Sequence, residues 1–276
     1  MRLLAPMRLI ALVSAAAFAG ETPDPRELVR RSALRDISEV EERRNYTYLR
    51  KIRQTEFDGV TPKKVEQKTF EVTVLYGRPY SRLIERDGKP LPAAEARKEQ
   101  EKLDREMAKR SRESGRDRIG REAEERKEIE QEKKFRQEIV DAYDFRLLGE
   151  DLAGGVRCWL IQCDPRPGFR PQSRRGEALR KTKGKLWITR EDLRWARAEV
   201  EFIDTYSLGW LLVRVSPGTK FLFEAKRAGE IWVPSRVYLR GQARLAAVKK
   251  FDLEIETLYE NYRKFQTDSR IVGVTP

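Results

Sequence analysis

The last third of the chain alternates apolar and polar residues with the period of two that a β-strand imposes on its side chains. Short turn sequences such as Ser216-Pro217-Gly218 and Ala228-Gly229-Glu230 separate the alternating stretches. Their apolar positions are Ala196, Ala198, Val200, Phe202, Leu211, Val213, Val215, Phe221, Phe223, Ile231, Val233, Val237, Leu239, Phe251, Leu253, Ile255 and Tyr259. Strands with one apolar and one solvated face, joined by short connections, predict an antiparallel up-and-down meander.

The first half of the chain adds a helix and further strands. Asp24 and Pro25 predict the start of an amphipathic helix over residues 26–43, because Asp caps a helix and Pro suits its first turn. Strands are predicted over residues 45–57, 70–76 and 80–86, and a strand pair over residues 143–148 and 156–163. The predicted fold class is therefore α+β and mostly β.

The apolar face of such a sheet needs a cover, since a long twisted sheet curls and its apolar side must be buried. One amphipathic helix is too small to cover so many strands. Two outcomes remain open at this point. Either bulky side chains such as Trp187, Trp210 and Trp232 fill the concave side of the curled sheet, or an apolar cavity persists there and holds an apolar ligand.

The first nineteen residues have the pattern of a secretory signal peptide. Arg2 and Arg8 precede a short apolar run, and Ala17-Phe18-Ala19 supplies the small residues that a signal peptidase requires. We expect cleavage after Ala19 and an exported, periplasmic protein that is soluble after cleavage, with residues 20–276 as one domain. An uncleaved short anchor is the alternative.

Charge is concentrated between the strands. Glu, Lys and Arg make up more than half of residues 93–137, with the two signs nearly balanced, which predicts an inserted charged helical hairpin or two frayed helices. A coiled-coil arm is a further alternative, although sustained apolar heptads are missing. The net charge of +13 favours an anionic membrane surface or an acidic envelope protein as a partner. Export argues against nucleic acid.

Catalytic and metal-binding signals are weak. The sequence has no histidine, which removes the commonest general base and the commonest metal ligand. Cys158 and Cys163 are five residues apart in a predicted strand, on opposite faces, and we expect neither a disulfide nor a zinc site. We predict that the protein is not an enzyme and has no metal or cofactor.

The order of elements resembles the outer-membrane lipoprotein-sorting carrier superfamily, the LolA-like periplasmic half-barrel proteins. The stretches that carry the resemblance are Gly184-Lys185-Leu186-Trp187-Ile188-Thr189 and Ile231-Trp232-Val233-Pro234-Ser235. The resemblance implies an open half-barrel lidded by helices, in which some members hold acyl chains and others bind a protein partner. The long charged insertion and the basic loop over residues 164–175 depart from the carriers.

Two sets of candidate site residues follow. We predict that the concave face binds a lipid, an acyl chain or a lipoprotein, and that the basic loop contacts an anion or a partner. The predicted lining residues are Trp187, Phe202, Val213, Phe221, Phe223, Trp232, Val237, Phe251 and Leu253. The predicted contact residues are Arg166, Arg170, Arg174 and Arg175. The alternative functions are a periplasmic scaffold or envelope-stress sensor, and binding to an anionic membrane or cell-wall polymer.

Overall fold

The structure, a computed structural model, describes residues 22–38, 40–208, 213–245 and 249–265. The predicted signal peptide and Trp210 lie outside these residues. The helices are α1 (Pro25–Ser38), α2 (Val40–Arg43), α3 (Ala93–Ser111), α4 (Gly115–Ala142) and α5 (Gly176–Leu179). The strands are β1 (Tyr46–Asp58), β2 (Thr61–Leu75), β3 (Arg78–Arg86), β4 (Lys89–Pro90), β5 (Tyr143–Ala153), β6 (Val156–Pro165), β7 (Thr182–Thr189), β8 (Trp195–Phe202), β9 (Tyr206–Leu208), β10 (Val213–Val215), β11 (Lys220–Ala228), β12 (Ile231–Leu245) and β13 (Lys249–Lys264).

The described strands form one antiparallel sheet made of two meanders. The strand order is β4-β3-β2-β1-β13-β12-β11-β8-β7-β6-β5, with β9 and β10 attached beside β12. The meander of β1 to β4 joins the meander of β5 to β13 through the long pairing of β1 with β13. The sheet does not close on itself. The predicted fold class, an open antiparallel half-barrel with an N-terminal helical lid and a charged helical hairpin, is confirmed.

Where the sequence predicts one helix over residues 26–43, the structure has α1 and the short α2, and α1 covers one side of the sheet. The Asp24 carboxylate accepts a hydrogen bond from the Arg26 backbone N–H at 3.1 Å and so satisfies one free donor of the first turn. Leu28, Val29 and Ala33 are buried against β6 and β7. The Arg26 guanidinium also donates to the carbonyl oxygens of Val140 and Tyr143, which ties α1 to the end of α4.

The charged hairpin carries the chain from one edge of the sheet to the other. Helix α3 follows the edge strand β4, and α4 ends at the opposite edge strand, β5. Arg110 of α3 donates hydrogen bonds to the carbonyl oxygens of Leu75 and Arg78 at 3.0 Å, which fastens the hairpin to the β2–β3 turn. Helix α4 has 28 residues and is about 42 Å long at 1.5 Å per residue.

The path of α4 is marked by contacts with the sheet. Glu125 pairs with Arg44, just before β1, at 3.5 Å. Further along, the Arg136 guanidinium lies 4.6 Å from the centre of the Trp195 ring, at the start of β8. None of the described helices is long and apolar enough to cross a membrane.

One position on the sheet differs from the sequence-based expectation. Alternation predicts that Ala196 and Ala198 share a face, but Ala196 packs with Trp187 and Trp232, whereas Ala198 packs with the cluster under α1. The register between β7 and β8 shifts between Trp187 and Ile188, and this bulge turns Ala196 to the other side.

Candidate functional site

The inner wall of the half-barrel is the sheet face that α1 packs against. Strand register places the side chains of one row on this face, because residues directly opposite each other in neighbouring strands point to the same side. From β6 to β1 the row is Ile161, Leu186, Ala198, Phe223, Val237, Thr257 and Ile52. The neighbouring row includes Val200, Phe221, Leu239 and Ile255. The inner wall is therefore a continuous apolar surface across several strands.

Helix α1 covers only one part of the inner wall. Its residues Leu28, Val29 and Ala33 form a buried cluster with apolar side chains of β6 and β7. Further along, six apolar side chains of β11, β12 and β13 stay half-buried, and none of them joins a buried cluster within the described residues. These residues, which we call the open stretch, are Phe221, Phe223, Val237, Leu239, Leu253 and Ile255.

The structure brings several of the predicted lining residues together. Phe221, Phe223, Val237 and Leu253 lie in the open stretch. Phe202 and Phe251 lie on the same face towards its end, where the Phe202 ring stacks on Tyr206 at 6.0 Å between ring centres. Val213 lies in β10, where it pairs in register with Leu245 near the end of β12.

Trp187 and Trp232 occupy a different place from the one the sequence predicts. Trp187 follows Leu186 in β7 and so points to the outer face, where it forms a buried cluster with Trp232 and Ala196. Both indole N–H groups are satisfied there: Trp187 donates to Asp151 at 2.9 Å and Trp232 donates to Asp192 at 2.8 Å. These two tryptophans hold the outer side of the sheet together.

A cleft of about 960 Å³ opens beside this tryptophan cluster. Its charged lining residues are Arg157, Arg190, Arg197, Lys226, Arg227, Glu191, Asp192 and Glu224. The arginines largely pair with nearby carboxylates: Arg227 with Asp192 at 3.5 Å and Arg197 with Glu224 at 3.5 Å. The pKa of Asp151 is lowered, mainly by its hydrogen bond from Trp187, so this carboxylate stays ionised beside the cleft. The cleft is therefore polar, and several of its arginines are already neutralised by nearby carboxylates.

The basic loop before α5 is fastened to α4 rather than free. Glu138 is buried, and its carboxylate accepts hydrogen bonds from the backbone N–H groups of Gln172 and Ser173, at 2.5 and 3.0 Å, and from the Ser173 hydroxyl. A Cβ on Gly176 would lie 2.6 Å from this carboxylate, so the loop approaches α4 closely.

The four predicted contact arginines of this loop divide into two pairs. Arg166 pairs with Asp144 at 2.9 Å, and Arg175 pairs with Glu132 at 2.7 Å while lying 3.8 Å from the centre of the Phe135 ring. Arg170 and Arg174 are exposed, and their side chains form no ion pair with any described residue. Arg166 and Arg175 thus hold the loop, while Arg170 and Arg174 point into solvent.

Sequence reasoning missed the β1 contribution to the inner wall. Tyr48, Arg50 and Ile52 alternate onto this face, opposite Tyr259 and Thr257 of β13. The signal was present, because Arg50 is the charged residue that interrupts an otherwise apolar period-two series. Tyr48 stacks on Tyr262 at 4.9 Å and contacts Tyr259 at 5.9 Å between ring centres. Burial raises the pKa of all three tyrosines, so they stay protonated near neutral pH.

The two cysteines are free thiols, as the sequence predicts. Burial raises the pKa of Cys158 to about 11 and that of Cys163 to about 12. Within the described residues, no three His, Cys, Asp or Glu side chains are arranged to hold a metal ion.

Comparison with known proteins returns structures only. No protein-family model matches the chain, and no curated protein matches it. A DUF1329 family protein from Desulfovibrio piger is similar to 92% of this chain and 96% of its own, with 12% identity and a TM-score of 0.34. A LolA superfamily protein from Nitrosomonas europaea covers 88% of this chain and 94% of its own, with 10% identity and a TM-score of 0.32.

A third structure is a putative outer membrane lipoprotein-sorting protein domain from Vibrio parahaemolyticus. It covers 87% of this chain and 95% of its own, with 10% identity and a TM-score of 0.29. Two of these three structures carry the name of the superfamily that the sequence resembles. At TM-scores this low the similarity says nothing about function. The function therefore has to be inferred from the side chains of this chain.

Proposed function

We propose that this protein is a non-catalytic binding or carrier protein that holds an acyl chain of a lipid or lipoprotein on the inner wall of the half-barrel. The observation that carries the proposal is the open stretch, six apolar side chains that stay half-buried and outside every buried cluster of the described residues. Apolar surface left in water costs roughly 25 cal/mol per Å², so covering a few hundred Å² contributes several kcal/mol of binding free energy. An acyl chain is the ligand whose chemistry fits a long apolar wall.

The place of work belongs to the same proposal. Residues 1–19 have the charge and hydropathy pattern of a secretory signal, which supports export to the periplasm. Lipids and lipoproteins that cross this aqueous compartment need their acyl chains shielded from water. The open stretch provides such shielding without any chemical step.

A pair of neighbouring residues provides the test. Phe223 lies on the inner wall, whereas Leu222 faces Glu199 and Tyr238 on the outer side of the same strand. We expect Phe223→Ser to weaken the binding of a fluorescent fatty-acid probe about tenfold, because a buried phenyl group contributes on the order of 1.5 kcal/mol or more. Leu222→Ser should leave the affinity within about twofold. Equal effects of both substitutions, or no binding by the unsubstituted protein, contradict the proposal.

A second candidate is a scaffold or stress sensor that binds a protein through the charged hairpin. The observation in its favour is that α3 has no buried residue along its whole length, Ala93–Ser111. Reversing the charges of the exposed Lys98 and Arg105 separates the two functions. A carrier keeps its affinity for the fatty-acid probe after Lys98→Glu and Arg105→Glu, whereas a hairpin-dependent scaffold loses its captured envelope partner.

A further inference from the structure

One cation lies on the inner wall among aromatic rings. Arg50 of β1 pairs in register with Phe70 of β2 on one side and with Tyr259 of β13 on the other. Its guanidinium carbon lies 5.0 Å from the centre of the Phe70 ring. Tyr48 and Ile52, two residues away on either side, share this face of the strand.

Many arginines among the described residues pair with a carboxylate, but Arg50 does not. Within the described residues it forms no ion pair, and its buried Nε has no hydrogen-bond acceptor. Its one polar contact is Nη2 to the Ser81 hydroxyl at 3.5 Å, too long for a good hydrogen bond. By contrast Lys51, the next residue on the outer face, pairs with Glu260 at 2.8 Å. Holding a half-buried guanidinium without a counter-charge costs free energy, and an anion that binds it offsets that cost.

Two further donors point to the same chemistry. Neither the Tyr48 hydroxyl nor the Tyr259 hydroxyl has a hydrogen-bond partner among the described residues. Tyr48 lies two residues from Arg50 along β1, and Tyr259 lies opposite Arg50 in β13. Burial raises the pKa of each phenol, and the nearby positive charge of Arg50 only partly offsets this effect. Both hydroxyls are therefore available as donors, and no acid among the described residues competes for Arg50.

We infer that Arg50, together with the Tyr48 and Tyr259 hydroxyls, binds the anionic headgroup of an acyl ligand, a carboxylate or a phosphate, while its chain lies on the open stretch. This inference rests on the proposed function and adds the charge of the ligand to it. Three strand spacings and two residues along a strand place Arg50 about 16 Å from Phe223. Headgroup and chain sites are thus separated along one wall, as an elongated amphiphile requires.

The test compares ligands of one chain length, of which palmitate and hexadecanol differ only at the headgroup. Palmitate, hexadecanol and dipalmitoyl phosphatidate are titrated at pH 8, where both anionic headgroups are charged, by displacement of a fluorescent acyl probe. We expect the unsubstituted protein to bind an anionic ligand at least tenfold more tightly than hexadecanol. Arg50→Gln should abolish this preference by weakening the binding of the anionic ligands alone. The anionic ligand that loses more affinity identifies the headgroup.

Two more variants keep the result interpretable. Arg53→Gln removes a charge from the exposed outer face of the same strand and should change nothing. Tyr48→Phe keeps the ring and removes only the hydroxyl. It should weaken the binding of the anionic ligand severalfold even if Arg50→Gln fails to fold. Equal binding of palmitate, phosphatidate and hexadecanol, or anion affinity that survives both Arg50→Gln and Tyr48→Phe, overturns the inference while the carrier proposal stands. If none of the three ligands binds, the proposed function itself fails.

Discussion

At the scale of single residues, a few buried side chains hold distant parts of the chain against each other. Glu138 is the clearest case, because a buried carboxylate on a highly charged helix accepts three hydrogen bonds from the loop before α5. Its neighbours on α4 are mostly solvated, so the sequence offers no way to single it out from the many other glutamates. Its burial depends on where a distant loop lies, which local patterning does not specify.

Removing the Glu138 carboxylate should destabilise the fold. Glu138→Ala leaves two loop N–H groups and one hydroxyl without their acceptor, and unsatisfied buried donors cost about 1–3 kcal/mol each at most sites. We expect the free energy of unfolding, measured by urea titration, to fall by about 2–4 kcal/mol. Glu128→Ala, on an exposed position of the same helix, should change it by less than about 0.5 kcal/mol. Equal stability of the two variants would show that the loop is not anchored there.

The two thiols give a prediction with a defined pH dependence. Since burial raises the pKa of Cys158 to about 11 and that of Cys163 to about 12, the reactive thiolate is scarce at pH 8. We expect alkylation by iodoacetamide to be at least about a hundredfold slower in the native protein than in urea, where thiols titrate near 8.5. The native rate should rise about tenfold per pH unit from pH 8 to pH 10. A plateau by pH 9 would contradict the buried environment.

At the scale of the elements, alternation located the strands but not their irregularities. The periods of two over residues 196–202 and 251–259 predict β8 and β13 because a half-exposed sheet needs that pattern. The bulge at Ala196 was not predictable, since it depends on how Trp187 and Trp232 pack on the outer face. The same packing explains why both indole rings lie on the outer face and not on the inner wall, where the sequence predicts them. A tryptophan suits either a cavity wall or a core, and only the register decides.

Strand β7 contains a position that requires glycine by close approach. A Cβ on Gly184 would lie 2.2 Å from the Glu199 carbonyl oxygen of β8, so any side chain forces the two backbones apart. Gly184→Ala should lower the free energy of unfolding by about 1–3 kcal/mol or more, measured by urea titration. Gly120→Ala is the matched control, because nothing lies near its Cβ and alanine favours a helix by up to about 1 kcal/mol. A neutral Gly184→Ala would mean that β7 and β8 are less closely paired than described.

At the scale of the whole molecule, the charged hairpin has a role that composition alone does not reveal. The sequence predicts an inserted charged helical hairpin, and the structure shows that this hairpin connects the β4 edge to the β5 edge of the open sheet. The pairing of β1 with β13 joins residues about two hundred positions apart, and no local pattern specifies such a contact. Fold class followed from periodicity, and the resemblance supplied the half-barrel. The connection between the two sheet edges and the position of Arg50 beside Phe70 and Tyr259 required the structure.

The central claim is that the inner wall leaves apolar surface for a guest acyl chain. Native mass spectrometry of the purified full-length protein, combined with solvent extraction of bound lipid, tests it most directly. The predicted result is one acyl-chain ligand per protein chain, either carried through purification or taken up on incubation with palmitate or a diacyl phospholipid. A folded protein that yields no acyl lipid on extraction and forms no adduct with either ligand would contradict it.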